Sequence, residues 1–141
     1  MKAQPFVIER TYHAPVEKVW HAITDRGAMK QWYFDLAEFK PEVGFEFSFK
    51  AGDNSKTFLH LCKVTEVEPG KKITYSWRYD GEPGNSFVTW ELFDEGDKTR
   101  LKLTHAGLET FPAKPEFAKT NFEKGWTHIT GVSLKAFVEG E

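Results

Sequence analysis

One cysteine, Cys62, stands alone in 141 residues, so no internal disulfide can form and a reducing cytoplasm is the expected setting. Long apolar runs are missing as well. No stretch is long enough to cross a bilayer, and Met1–Pro5 lacks the hydrophobic segment of a secretory leader. Neither sign of charge dominates: 19 Lys and Arg are mixed with 21 Asp and Glu, for a net charge of −2. Without a basic run or basic helix, the chain offers no footprint for nucleic acid or for an anionic membrane. It also lacks a P-loop, a dinucleotide fingerprint, a nucleophile elbow and a His-Glu-x-x-His motif. No repeat, low-complexity tract or linker divides it, so residues 1–141 are expected to form one domain.

Aromatic side chains are plentiful: 13 Phe, 5 Trp and 4 Tyr make up 16% of the chain. Large flat groups must therefore fill the interior or line a pocket. Their spacing gives the element order. Phe6–Tyr12 is rich in β-formers and reads as a first strand. Pro15 marks a helix start, followed by Val16, Val19, Trp20 and Ile23 on one helical stripe. Gly27 is expected to break that helix, with Ala28–Trp32 forming a second short turn.

From residue 35 to 106 the period becomes two. Phe45, Phe47 and Phe49 alternate with polar residues, as do Ile73, Tyr75, Trp77 and Tyr79, then Val88, Trp90 and Leu92, then Leu101, Leu103 and His105. Pro69-Gly70, Asp80–Asn85 and Glu95-Gly96-Asp97 punctuate these runs as turns. Ala106–Thr120 carries Gly107, Pro112 and Pro115 and reads as an irregular loop, in which Phe111 and Phe117 need cover. A final helix is expected from about Asn121, burying Phe122, Trp126, Ile129, Val132, Ala136 and Phe137. The pattern predicts an α+β fold in which a six- to seven-stranded antiparallel meander is covered by the terminal helix.

Several segments resemble the SRPBCC (START-like) superfamily, in the branch named after the C-terminal domain of the activator of Hsp90 ATPase. They are His13-Ala14-Pro15-Val16-Glu17-Lys18-Val19-Trp20-His21-Ala22-Ile23-Thr24, Gln31-Trp32 and Pro41-Glu42-Val43-Gly44. Val64-Thr65-Glu66-Val67-Glu68-Pro69, Ile73-Thr74-Tyr75-Ser76-Trp77, Thr99 through Gly107 and Gly125-Trp126 complete the set. The resemblance implies a helix-grip fold: a curved sheet with two short helices, wrapped around a long C-terminal helix. Four positions depart from the family pattern. Phe45 follows Gly44 where a second Gly is common, Cys62 occupies a usual strand Gly, and Thr130 and Ser133 replace Leu on the terminal helix.

In such a fold Tyr75, Trp77, Trp90 and His105 face Trp126, Thr130 and Ser133 across the interior. These seven are the candidate ligand-binding residues, either as an aromatic-walled pocket with a few orienting polar groups or as a packed core whose polar tips are satisfied by neighbours. His105 could be a base, a ligand partner or a structural hydrogen-bonding group. His60 and Cys62 share a strand face, but two residues do not make a metal site, and no metal or cofactor is expected. Three functions are compatible with this pattern. The first is a noncatalytic binder of a small hydrophobic or aromatic molecule. The second is a protein-interaction module of the Hsp90 co-chaperone type. The third, with no catalytic motif in its favour, is a cyclase- or aromatase-like enzyme using His105 or Tyr75.

Overall fold

The computed structural model describes residues 5–33, 38–52, 57–111 and 119–140. Six strands form one curved antiparallel sheet: β1 (Phe6–Tyr12), β2 (Glu46–Gly52), β3 (Thr57–Glu68), β4 (Lys72–Tyr79), β5 (Ser86–Asp94) and β6 (Thr99–Ala106). The spatial order is β1-β6-β5-β4-β3-β2, so β2 to β6 run as a meander and β1 adds to the free edge of β6. Register turns the period-two pattern into rows across the inner face. One row reads Phe6, His105, Val88, Tyr75, Val64, and the next reads Ile8, Leu103, Trp90, Ile73. On the other side of the first row, Ser86, Trp77, Cys62 and Phe47 stand abreast. A bulge in β3 lies between Val64 and Glu66.

Two short helices connect β1 to β2. Pro15 takes the extended cap position just before α1 (Val16–Thr24), rather than the first helical position. The break after α1 comes at Asp25, not at Gly27. Asp25 is extended and its carboxylate accepts a hydrogen bond from the Ala28 amide, so it caps α2 (Arg26–Trp32) with Gly27 inside the first turn. After β6, Gly107 adopts a left-handed conformation and leads into a short 3₁₀ turn, Leu108–Thr110. Phe111 is buried against Phe122 and Tyr79. Pro112, Pro115 and Phe117 of the expected loop lie outside the described residues.

The terminal helix covers the inner face as expected, but its geometry differs. It begins at Lys119 as α3 (Lys119–His128), widens into a π-helical turn over Ile129–Ser133, and resumes as α4 (Leu134–Glu139). The Leu134 amide donates to the Ile129 carbonyl, five residues back. The buried positions explain this turn. Phe122, Trp126, Thr130, Leu134 and Val138 are spaced by four throughout. In an α-helix each four-residue step overshoots a full turn by about 40°, so four steps would carry Val138 almost to the opposite side. The wider π turn absorbs the excess and keeps all five beneath the helix. Two side-chain bonds hold it: the Thr130 hydroxyl donates to the Trp126 carbonyl, and the Tyr12 hydroxyl donates to the Thr130 carbonyl, each at 2.7 Å.

The phase shift corrects two expectations, those for Val132 and Ala136. Val132 is 56% exposed and Ala136 is also exposed, while Ile129 and Phe137 are half-buried. Leu134 and Val138, both fully buried, fill the interior instead. Leu134→Ala should therefore lower unfolding free energy by about 3 kcal/mol, as for a buried leucine losing its cavity lining. Val132→Ala should stay within about 0.5 kcal/mol of the parent. Urea titrations giving equal losses for the two would contradict the π-shifted packing.

Candidate functional site

The space between sheet and terminal helix is organised around Trp126. Its ring lies edge-on to Trp90 (5.7 Å between centroids) and His105 (5.8 Å), and is tilted against Trp77 (5.5 Å). The strand period points Trp77, Trp90 and His105 inward, and the four-residue helical spacing points Trp126 at them. Tyr75 shares the row of His105 and touches Phe47 edge-on at 5.1 Å.

The polar tips are joined in short chains. The Trp126 indole N–H donates to His105 Nδ1 at 3.0 Å, so in the neutral ring the proton must sit on Nε2. Nε2 faces Ser86 Oγ at 2.8 Å, and the Ser86 hydroxyl donates to the Trp77 carbonyl at 2.7 Å. The direction is thereby fixed at every link: indole to imidazole, imidazole to serine, serine to strand backbone. A second chain runs from the Trp90 indole N–H to the Tyr75 oxygen (3.0 Å), which also bonds the Tyr33 hydroxyl (3.0 Å). The Trp77 indole donates to the Tyr79 oxygen at 3.0 Å.

Burial sets the ionisation of this region. Desolvation pulls His105 down to about 3, and desolvation pulls His60 down to about 4 against backbone hydrogen bonds that favour its charged form. A protonated His105 would also turn an N–H at Nδ1 toward the Trp126 N–H, donor against donor. Burial pushes the phenols of Tyr33 and Tyr75 well above their ordinary range, Tyr79 to about 12, and the Cys62 thiol far up. His60 stacks on Phe49 at 4.5 Å and meets Trp77 edge-on. Among the described residues no group of three or more His, Cys, Asp or Glu is placed to hold a metal ion.

Five of the seven sequence candidates come together: Tyr75, Trp77, Trp90, His105 and Trp126 share contacts. Thr130 is fully buried one turn from Trp126, with its hydroxyl given to the helix backbone. Ser133 is only half-buried, because the π turn brings Leu134 to the inner face in its place. Tyr33 is the principal site residue that the sequence pattern does not mark. From the end of α2 its ring enters the space, stacked on Trp126 (6.5 Å, 18°) and edge-on to Trp90 (6.2 Å), with Phe49 at 6.1 Å. A residue just past a helix end belongs to no periodic run, so no signal singles it out. Ser86 does carry a signal: it shares the parity of Val88 and Trp90.

The model of a family described as "Activator of Hsp90 ATPase homolog 1-like protein" matches residues 13–139. Solved structures share the fold. Protein CV1439 from Chromobacterium violaceum is 24% identical with a TM-score of 0.81, the match covering 98% of this chain and 99% of that one. Mll3558 from Rhizobium loti is 26% identical with a TM-score of 0.81, covering 95% and 96%. CalU16 from Micromonospora echinospora is 26% identical with a TM-score of 0.73, covering 95% and 75%. No curated protein matches the sequence.

The two depressed histidines set a pH window. Each is neutral in the fold but takes up a proton near pH 6.5 when unfolded. Their contribution is thus complete above about 6.5 and is lost as pH falls toward 4 for His60 and 3 for His105. Each costs about 1.4 kcal/mol per pH unit inside its window. In His105→Gln, the loss of stability between pH 6 and pH 5 should shrink by about 1 kcal/mol. Denaturant titrations at the two pH values check this, and an unchanged loss would show that His105 titrates normally in the fold.

Proposed function

Because the chain belongs to the activator of Hsp90 ATPase homologue 1-like family, we propose that it binds a small hydrophobic or aromatic molecule between the sheet and the terminal helix. The observation that carries this reading is the position of Tyr33. A phenol ring from a helix end lies between Trp90, Trp126 and Phe49, with its hydroxyl on Tyr75. It makes the contacts that a flat hydroxylated ligand would make: a stacking face, an edge contact, a tilted ring contact and one orienting hydrogen bond. Tyr33 is half-buried whereas Tyr75, Trp90 and Trp126 are buried, so it sits at the margin of the space and can be displaced outward.

Binding of this kind needs no catalytic group. Both nitrogens of His105 and the Tyr75 oxygen already hold protein partners, so a cyclase-like step at either would first have to break those bonds. The protein-docking alternative has weaker support. The exposed large apolar side chains, Val7, Val43, Phe87 and Val132, stand on four different segments of the described residues. No helix of the described residues is long and apolar enough to cross a membrane.

A titration with a library of hydroxylated aromatic compounds, read by the indole N–H resonances, tests the proposal. Ligands should shift the Trp77, Trp90 and Trp126 signals, and Tyr33→Ala should bind the same compounds about tenfold more tightly, the gain expected from about 1.4 kcal/mol of displacement cost removed. Silence of all three indoles in both proteins across the library would sink it.

A further inference from the structure

We infer that Arg10 and the π turn of the terminal helix form a binding position for an oxyanion, the carboxylate or phosphate group of a small ligand. Arg10 lies on the inner face of β1 with the parity of Ile8 and Tyr12, beside Leu101 and, beyond it, Leu92. It is the one cation in a row of core leucines. Its Nε is fully buried and has no hydrogen-bond partner. No described residue forms an ion pair or hydrogen bond with any part of its guanidinium. Glu9, the neighbour in sequence, points to the opposite face and pairs with Arg100. Glu139 is engaged by Lys135 and by the His13 amide, which together hold its carboxyl below the usual range.

The terminal helix is shaped to receive this group. A Cβ on Gly131 would lie 3.1 Å from Arg10 Nη2 and 3.4 Å from both Cζ and Nε, so the guanidinium lies flat against the glycine. Gly131 is helical, and it supplies space rather than an unusual dihedral angle. Tyr12, two residues along the same strand face, donates to the Thr130 carbonyl immediately before Gly131. Burial raises the Tyr12 phenol, with the Arg10 charge acting in the opposite sense and the Glu139 charge in the same sense. β1 is an edge strand, and Arg10, Gly131 and Ile129 are only half-buried, so the outer guanidinium nitrogens can be reached from solvent.

The buried Nε of this half-buried cation carries a desolvation cost that no hydrogen bond from a described residue offsets. An oxyanion at the outer nitrogens would neutralise it through charge-assisted, forked hydrogen bonds, which a guanidinium is suited to make. This position lies on the opposite side of the Ile8–Leu103–Trp90 row from His105 and does not depend on the aromatic ligand proposed for that region.

NMR titration of the full chain with sodium acetate, and separately with inorganic phosphate, at ionic strength held constant with sodium chloride, tests the inference. The Arg10 Nε–H and Gly131 amide resonances should shift and saturate. Saturation by acetate alone assigns a carboxylate, and saturation by phosphate at a tenfold lower concentration assigns a phosphate group. R10M, which keeps most of the stem and removes the charge, should abolish the Gly131 shift while leaving the remaining amide spectrum folded. G131A, which crowds the guanidinium, should raise the half-saturating concentration at least fivefold. Shifts no larger than those produced by chloride in the parent protein would overturn the inference, as would a Gly131 shift that persists in R10M.

Discussion

The contact on which this fold depends is the hydrogen bond from the Trp126 indole to His105 Nδ1. It joins the terminal helix to β6, the strand next to the β1 edge, through two groups that are both essentially removed from water. An apolar core holds helix on sheet without fixing how far the helix slides or turns, since hydrophobic burial has no direction. A hydrogen bond between buried groups does have direction, and breaking it strands both partners at a cost of about 1–3 kcal/mol each. The bond continues through Ser86 into the backbone at Trp77, so helix position, imidazole tautomer and the pairing of β4 with β5 are set together. Neutrality of His105 is part of the same arrangement, because a second proton would oppose the indole donor.

The π turn is the complement of that contact. With Trp126 pinned to the sheet, the rest of the helix must bury Thr130, Leu134 and Val138 at four-residue spacing, and a regular α-helix would rotate those residues away. Thr130 resolves this locally. Its hydroxyl takes the Trp126 carbonyl, and its own carbonyl accepts from Tyr12 on β1, so the widened turn is held from within the helix and from the sheet edge. Threonine and serine at 130 and 133 therefore do different jobs. Thr130 is inside and structural, whereas Ser133 is rotated toward the helix flank, its inward place taken by Leu134.

The strands are legible in the sequence because their period is two and each turn is punctuated by Gly, Pro or Asp. Every inward residue assigned by alternation on β4, β5 and β6 is buried. The helix is legible in existence but not in phase. Its burial pattern has a spacing that no 3.6-residue period produces, and only the positions of Tyr12 and His105 across the interface explain why. Tyr33 is invisible for a different reason: a residue past a helix end has no pattern to obey, and its placement is decided by the rings around it. Arg10 is hidden by its own charge. The alternation of Phe6, Ile8 and Tyr12 turns residue 10 inward, yet a cation in a core row conflicts with the composition rule that marks the inner face.

That conflict bears on how the interior divides. Along β1, the Phe6 end adjoins the aromatic space with its neutral, internally bonded polar groups, and the Arg10–Tyr12 end adjoins the π turn with an uncompensated cation. Both ends meet the same helix, one through Trp126 and the other through Thr130 and Gly131, four and five residues later. An event that moves Trp126 relative to His105 acts one helical turn away from the residues against which Arg10 lies. Displacement of Tyr33 from its stack on Trp126 would be such an event. Between the two contacts the Thr130 hydroxyl is bonded back to the Trp126 carbonyl, which ties the turn beside Arg10 to the residue that holds the sheet.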